Sequence, residues 1–172
     1  TWRPKAFRAE GTTVNDGTKW SDYITAGSTT RSGFPASNLF NGTLTDSGAM
    51  ATTDSVDGTY IEFDFSSMGG IPFQTIEYSY EKNGQNNMIL TFNHVSQDYT
   101  TNYSYNSFNW RTVTGIEPGR LFNIKVDKNG DSGASYFAGL KIDGVVMLDS
   151  TTTNLDYGTN GFYLPMDGNT PI

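Results

Sequence analysis

The chain has 172 residues, enough for one domain with its own core, or for one domain plus tails. Its 11 Lys and Arg stand against 18 Asp and Glu, a net charge of −7 with no basic cluster, which argues against nucleic acid as a partner because backbone binding needs cations to displace counterions. It has no cysteine, which excludes disulfides, a thiol nucleophile and Cys-ligated zinc; no apolar run approaches the roughly 18 residues of a spanning helix, so no membrane insertion is expected.

Charged residues make up only 17%, against roughly 25% in ordinary soluble domains, so Ser, Thr, Asn and Gly must supply much of the polar surface. Such surfaces are common on extracellular and virion β-proteins. Aromatics reach 14%, a proportion that suits sandwich cores and contact surfaces. A cysteine-free chain also suits assembly in a reducing cytoplasm. The opening TWRPKAFRAEG holds no signal-peptide apolar region, so export by another route, such as lysis, is expected.

Residues 1–19 read as a polar N-terminal arm or linker, with turn formers Gly11, Asn15, Asp16 and Gly17. Residues 20–59 are rich in Ser, Thr, Gly and Asp, with apolar anchors at Trp20, Tyr23, Ile24, Phe34, Leu39 and Phe40. The stretch 35–40 can make one helical turn. Loops this long are uncommon unless they are functional or pinned by their own side chains.

Strand periodicity begins at Tyr60. In YIEFDF, Ile61, Phe63 and Phe65 share one face and Tyr60, Glu62 and Asp64 the other. Gly69, Gly70 and Pro72 break the run. A second strand is expected at 75–81, followed by Lys82-Asn83-Gly84, whose Asn-Gly pair is the strongest hairpin signal. Further strands are expected at 88–92, 108–113, 121–126, 136–142 and 145–148, the last two forming a hairpin about Asp143-Gly144. No helical stripe and no internal repeat is present. Short strands with Gly, Asn and Asp between them predict an all-β, antiparallel sandwich over residues 20–150. Ile61, Phe63, Phe65, Ile76, Leu121, Ile124, Leu140 and Ile142 are its expected core. Residues 151–172 read as a linker toward a further domain, so polar arms extend from both ends.

Chemistry-bearing residues are few. His94, the single histidine, reads as an ordinary residue at a sheet edge; no Gly-x-Ser-x-Gly elbow accompanies it, so no nucleophilic triad is expected. Glu62 and Asp64 share a strand face and can address one ligand. A glycosidase, however, needs two carboxylates at a defined separation with one held protonated in an apolar setting. The solvated face of an amphipathic strand explains them better, and likewise Glu77 and Glu81. No catalysis is expected. In 38–46 (NLFNGTLTD), Asn41 and Asp46 with nearby carbonyls are candidate ligands for a structural calcium, which takes 6–8 oxygens; the competing reading is an Asx-rich turn without metal. No other cofactor is expected.

The stretch 99–110 gathers Tyr99, Tyr103, Tyr105, Phe108 and Trp110 among Thr, Asn and Ser. Three readings compete: core and loop packing, a protein interface, where Tyr and Trp are favoured, and a glycan platform in which rings stack on sugar C–H faces while amides take the hydroxyls. Two Asn-x-Ser/Thr tripeptides, at Asn41 and Asn102, are assigned no role.

Taken together, Trp20-Ser21-Asp22-Tyr23-Ile24, the run GFPASNLFNG at 33–42, YFAGLKIDGV at 136–145 and Leu148-Asp149 are similar to modules of tail-fibre-like structural proteins from marine and cyanobacterial phages. There a "WSDY…GF.A..LFDG" opening pairs with an "A..IDG..LVD" closing strand. The opening also resembles the discoidin-like, galactose-binding-like jelly roll; Asn41 stands where those modules carry Asp, which removes a charged calcium ligand. The closing 162–168 (FYLPMDG) resembles the lead into a concanavalin-like domain. The resemblance implies a virion β-sandwich module, assembled in the host cytoplasm and exposed on the particle. It serves assembly and host-surface attachment, within a homotrimer or against other virion proteins, with host glycan as a further partner. The alternatives are a carbohydrate-binding module of a secreted bacterial enzyme and a polysaccharide depolymerase.

Overall fold

The alternation at Ile61, Phe63 and Phe65 is realised as written: all three side chains are buried, and their neighbours Glu62 and Asp64 face outward. The fold is described by a computed structural model over residues 13–52, 58–82, 87–97, 108–129 and 135–149. No α-helix occurs among these residues, which form only strands, 3-10 turns and loops.

The strands are β1 (Met50–Ala51), β2 (Tyr60–Asp64), β3 (Ile71–Phe73), β4 (Ile76–Lys82), β5 (Asn87–Phe92), β6 (Val95–Ser96), β7 (Trp110–Thr112), β8 (Gly119–Leu121), β9 (Asn123–Asn129), β10 (Ser135–Ile142) and β11 (Val145–Val146). One sheet has the order β1-β10-β4-β7, with β11 also on β10; a second runs β2-β9-β5-β6; β3 and β8 form a short ribbon. Every pairing is antiparallel. The two larger sheets form a sandwich. Ile76, Tyr78, Tyr80, Phe137, Leu140 and Ile142 from one share a single buried cluster with Ile61, Phe63, Leu90, Phe92, Ile124 and Val126 from the other. Tyr78 meets Phe92 across the gap with ring centroids 5.6 Å apart. All eight residues expected in the core are there.

Two features depart from simple alternation. Phe137 and Leu140 both face the core although they are three apart. A bulge between Phe137 and Gly139 absorbs the extra residue and returns the strand to register. Likewise Leu121 and Ile124 are both buried because the strand expected at 121–126 is two strands, broken at Phe122, which is 41% exposed. Asn93 holds this break open. Its side-chain oxygen accepts from the Phe122 amide at 2.7 Å, and its amide group donates to the Arg120 carbonyl at 2.8 Å.

The turns separate two superficially similar signals. Asp143-Gly144 makes the expected two-residue hairpin, with φ of 52° and 80°, and pairs Ile142 with Val145. A hairpin about Asn83-Gly84 does not form: β4 pairs with β10 and β7, whereas β5 belongs to the other sheet, so the chain crosses the sandwich there. Local turn chemistry favours a reversal but does not choose between pairing within a sheet and packing across it. The Tyr78–Phe92 contact satisfies both strands through their inner faces. His94, read as a sheet-edge residue, lies instead in a second two-residue turn, Asn93-His94 (φ 47° and 65°), between β5 and β6.

The domain also begins earlier than Trp20. Residues 13–15 form a 3-10 turn, Val14 is 1% exposed within the core cluster, and its carbonyl accepts the Trp20 indole N–H at 2.7 Å. Polar composition hid this packing, because one valine among turn formers gives no periodic signal. Residues 1–12 of the arm and all of 151–172 lie outside the described residues.

Candidate functional site

The long loop 20–49 is pinned, not free. Residues 25–31 bridge one side of the sandwich. The amides of Thr25 and Thr29 donate to Glu62 and Tyr60 carbonyls of β2 at 2.8 Å, and that of Arg31 to the Ala51 carbonyl of β1 at 2.9 Å. The expected turn at 35–40 is the 3-10 turn Ala36–Phe40, which buries Leu39 and Phe40.

The other side is bridged at the base of the aromatic stretch. β6 and β7 are edge strands of opposite sheets. Gln97, buried just after β6, accepts from the Thr114 amide at 2.8 Å and donates to the Thr114 carbonyl at 3.0 Å, so its side chain pairs with the backbone as a strand would. Gln97 thus ties the edge of one sheet to the chain just after the edge strand of the other. Tyr99, Tyr103 and Tyr105 lie outside the described residues.

Phe108 and Trp110 are described, and both lie on the outer face of the five-stranded sheet. Phe108 joins Phe34 and Leu44 over the buried Ala49, Ala51, Tyr136 and Ala138, a second small cluster. Trp110 is half-buried and pairs with Ser79 in β4. Its indole reaches Gly139, where an added Cβ would come within 2.8 Å of its ring. The Lys141 ammonium lies 4.0 Å from the ring centroid and 3.6 Å from Glu77 Oε2. Nearby, Arg31 donates to the Tyr136 hydroxyl at 2.8 Å and stands 5.1 Å from the Phe34 ring centre. This outer face is therefore aromatic, with cations set against its rings.

The carboxylates named from sequence hold structure. Glu62 accepts from the Asn123 side-chain amide. Asp64 accepts from the Ser66 amide at 2.8 Å, and its hydrogen bonds to the Ser66 side chain and backbone lower its pKa. Lys125 bonds Asp127 at 2.9 Å and sits 4.8 Å from the Tyr60 ring centre; that hydrogen bond to Asp127 is the main cause of its raised pKa. In the candidate calcium loop, Asn41 Oδ1 accepts from the Thr43 amide at 2.7 Å and Nδ2 donates to the Gly48 carbonyl at 2.8 Å. Both of its polar atoms are thus used as in an Asx turn. The Asp46 side chain lies outside what is described. No group of three or more His, Cys, Asp or Glu suited to a metal occurs among the described residues.

Sequence reasoning missed the polar junction where the first and last described segments meet. Asn15 donates to the Val146 carbonyl at 3.1 Å and accepts from the Leu148 amide at 2.9 Å. The Asp149 carboxylate accepts from the Ser21 amide at 3.1 Å and the Ser21 hydroxyl at 2.6 Å, while the Asp149 amide donates to the Phe40 carbonyl at 2.9 Å. Asp143 is a second such acceptor, taking the Gln74 and Thr75 amides at 2.7 Å each. The only sequence signal for the junction was the joint presence of the WSDY and Leu148-Asp149 phrases. Compared with protein-family models, curated proteins and solved structures, the chain matches none.

Proposed function

We propose that this chain is a structural module of a phage virion appendage, a tail fibre or related surface protein, serving assembly and host-surface attachment. Its sandwich is proposed to be a galactose-binding-like jelly roll. The observation that carries this reading is the Ser21–Asp149 junction, which ties together the first and the last of the four phrases on which the phage resemblance rests. The charge-poor surface and the aromatic outer face with Phe108 and Trp110 support a role in contact more than in chemistry. Homotrimeric association, other virion proteins and a host glycan are the proposed partners, and no turnover is proposed.

A test is immunogold labelling, with antibody to residues 13–149, of particles of the virus encoding the chain. Label on the appendages is the expected result. Unlabelled particles, or a catalytic domain in the same reading frame, would overturn it.

A second reading is a carbohydrate-binding module of a secreted bacterial enzyme. Half-buried Trp110, with the Lys141 ammonium over its ring and Glu77 beside that lysine, favours it, because an aromatic ring with hydrogen-bonding groups at hand suits a sugar that displaces the lysine from the ring face. Retention on immobilised polysaccharide, lost in Trp110→Ala, would bring this reading forward.

A further inference from the structure

The junction has a mechanical consequence. Asn15 and Leu148 are 133 positions apart in sequence, yet they are joined by a direct hydrogen bond, so the first and last parts of the described fold lie side by side. A pull applied through those segments enters the fold at this junction. Two bonds of Asn15, two between Ser21 and Asp149, and one from Asp149 to Phe40 connect the ends there. Buried anchors stand beside them: Val14 just before Asn15, Trp20 just before Ser21, and Met147 just before Leu148.

We infer that these five hydrogen bonds act as a tension clasp. Pulling on the flanking segments loads these bonds, together with the Val14 anchor, ahead of the strands of the sandwich. Asn15 is exposed, so water competes for its bonds as they stretch, whereas drawing out Trp20 or Met147 behind them exposes a large apolar surface. The clasp is a property of the fold and holds whether or not the chain serves a virion.

The test is single-molecule pulling of the full 172-residue chain in two geometries. One uses handles at Thr1 and Ile172. The other uses handles on cysteines introduced as Ser67→Cys and Glu117→Cys, both exposed positions in a chain without native cysteine. The Asn15→Ala, Ser21→Ala double variant, which deletes three of the five bonds, should open at least about tenfold faster at a given force with end handles, the low end of what three such bonds contribute. It should open at the wild-type rate through the introduced cysteines. Asn15→Ala alone, at an exposed site, provides a milder version if the double variant fails to fold. Equal acceleration in both geometries would reduce the junction to general stability, and no acceleration with end handles would show that it carries no load.

Discussion

Ser21 and Asp149, 128 positions apart, form a two-point contact in which one carboxylate takes both the amide and the hydroxyl of one serine. Ser21 is buried, so its amide has no ready solvent substitute if the carboxylate is removed. Asp149→Ala should therefore cost about 1.5–3 kcal/mol, the range for hydrogen bonds to charged groups. Asp149→Asn should cost less, because its amide can still accept from the backbone and meet the hydroxyl. Urea denaturation of the three proteins gives the order; equal losses would mean that charge, not geometry, holds the contact.

Phe63 tests the core assignment. It is 1% exposed, meets Phe40 edge-on at 5.4 Å and stacks with Phe65 at 6.4 Å. Phe63→Ala should cost about 3–5 kcal/mol in unfolding free energy. A loss below about 1 kcal/mol would place the ring on a yielding surface.

The core was legible because burial on one face of a strand imposes period two, and Ile61, Phe63, Ile76 and Leu140 obey it locally. Pairing was less legible. Asn83-Gly84 and Asp143-Gly144 look alike in sequence, but only the second closes a hairpin, since membership of a sheet depends on partners far along the chain. The junction was least legible. Asn15, Ser21, Gln97 and Asp149 act through side-chain bonds to distant backbone or side-chain groups, and polar residues in loops show no pattern until the fold brings those groups near.

Ser79 carries a cost that a substitution can remove. It is fully buried, and its hydroxyl has no hydrogen-bond partner among the described residues. Ser79→Ala deletes an unsatisfied group and leaves little space behind, so it should be neutral or stabilising by up to about 1 kcal/mol. The denaturant midpoint at unchanged slope measures this. Destabilisation by more than about 1 kcal/mol would mean that the hydroxyl does find a partner in solution.

Asp64 supplies a pH signature. Its pKa is lowered first by the Ser66 side chain and then by the Ser66 backbone. A carboxylate with a depressed folded pKa contributes stability above its unfolded pKa, and that contribution is lost as pH falls through the folded value. The group is exposed, so the effect on stability is small. An NMR titration of Asp64 should show a midpoint below the ordinary aspartate value, and Ser66→Ala should move it upward. A midpoint unchanged by Ser66→Ala would remove the hydroxyl from the account.

Asn41 distinguishes a turn from a metal loop. Its amide donates to Gly48 and its oxygen accepts from Thr43, so the side chain closes the loop by itself. Asn41→Asp keeps the acceptor but turns a second oxygen toward the Gly48 carbonyl, where two acceptors repel. Without metal, this should cost about 1–3 kcal/mol, the price of an unsatisfied pair. The same substitution adds a charged oxygen, the ligand type that calcium prefers. If the loop is a self-sufficient turn, millimolar calcium should leave the melting temperatures of wild type and Asn41→Asp unchanged. If it is a cation loop that asparagine happens to close, calcium should restore the variant to wild-type stability or beyond, because binding to the folded state alone raises stability with ligand concentration. Thermal unfolding of both proteins in calcium and in chelator separates the two outcomes. The two satisfied polar atoms of Asn41 favour the first.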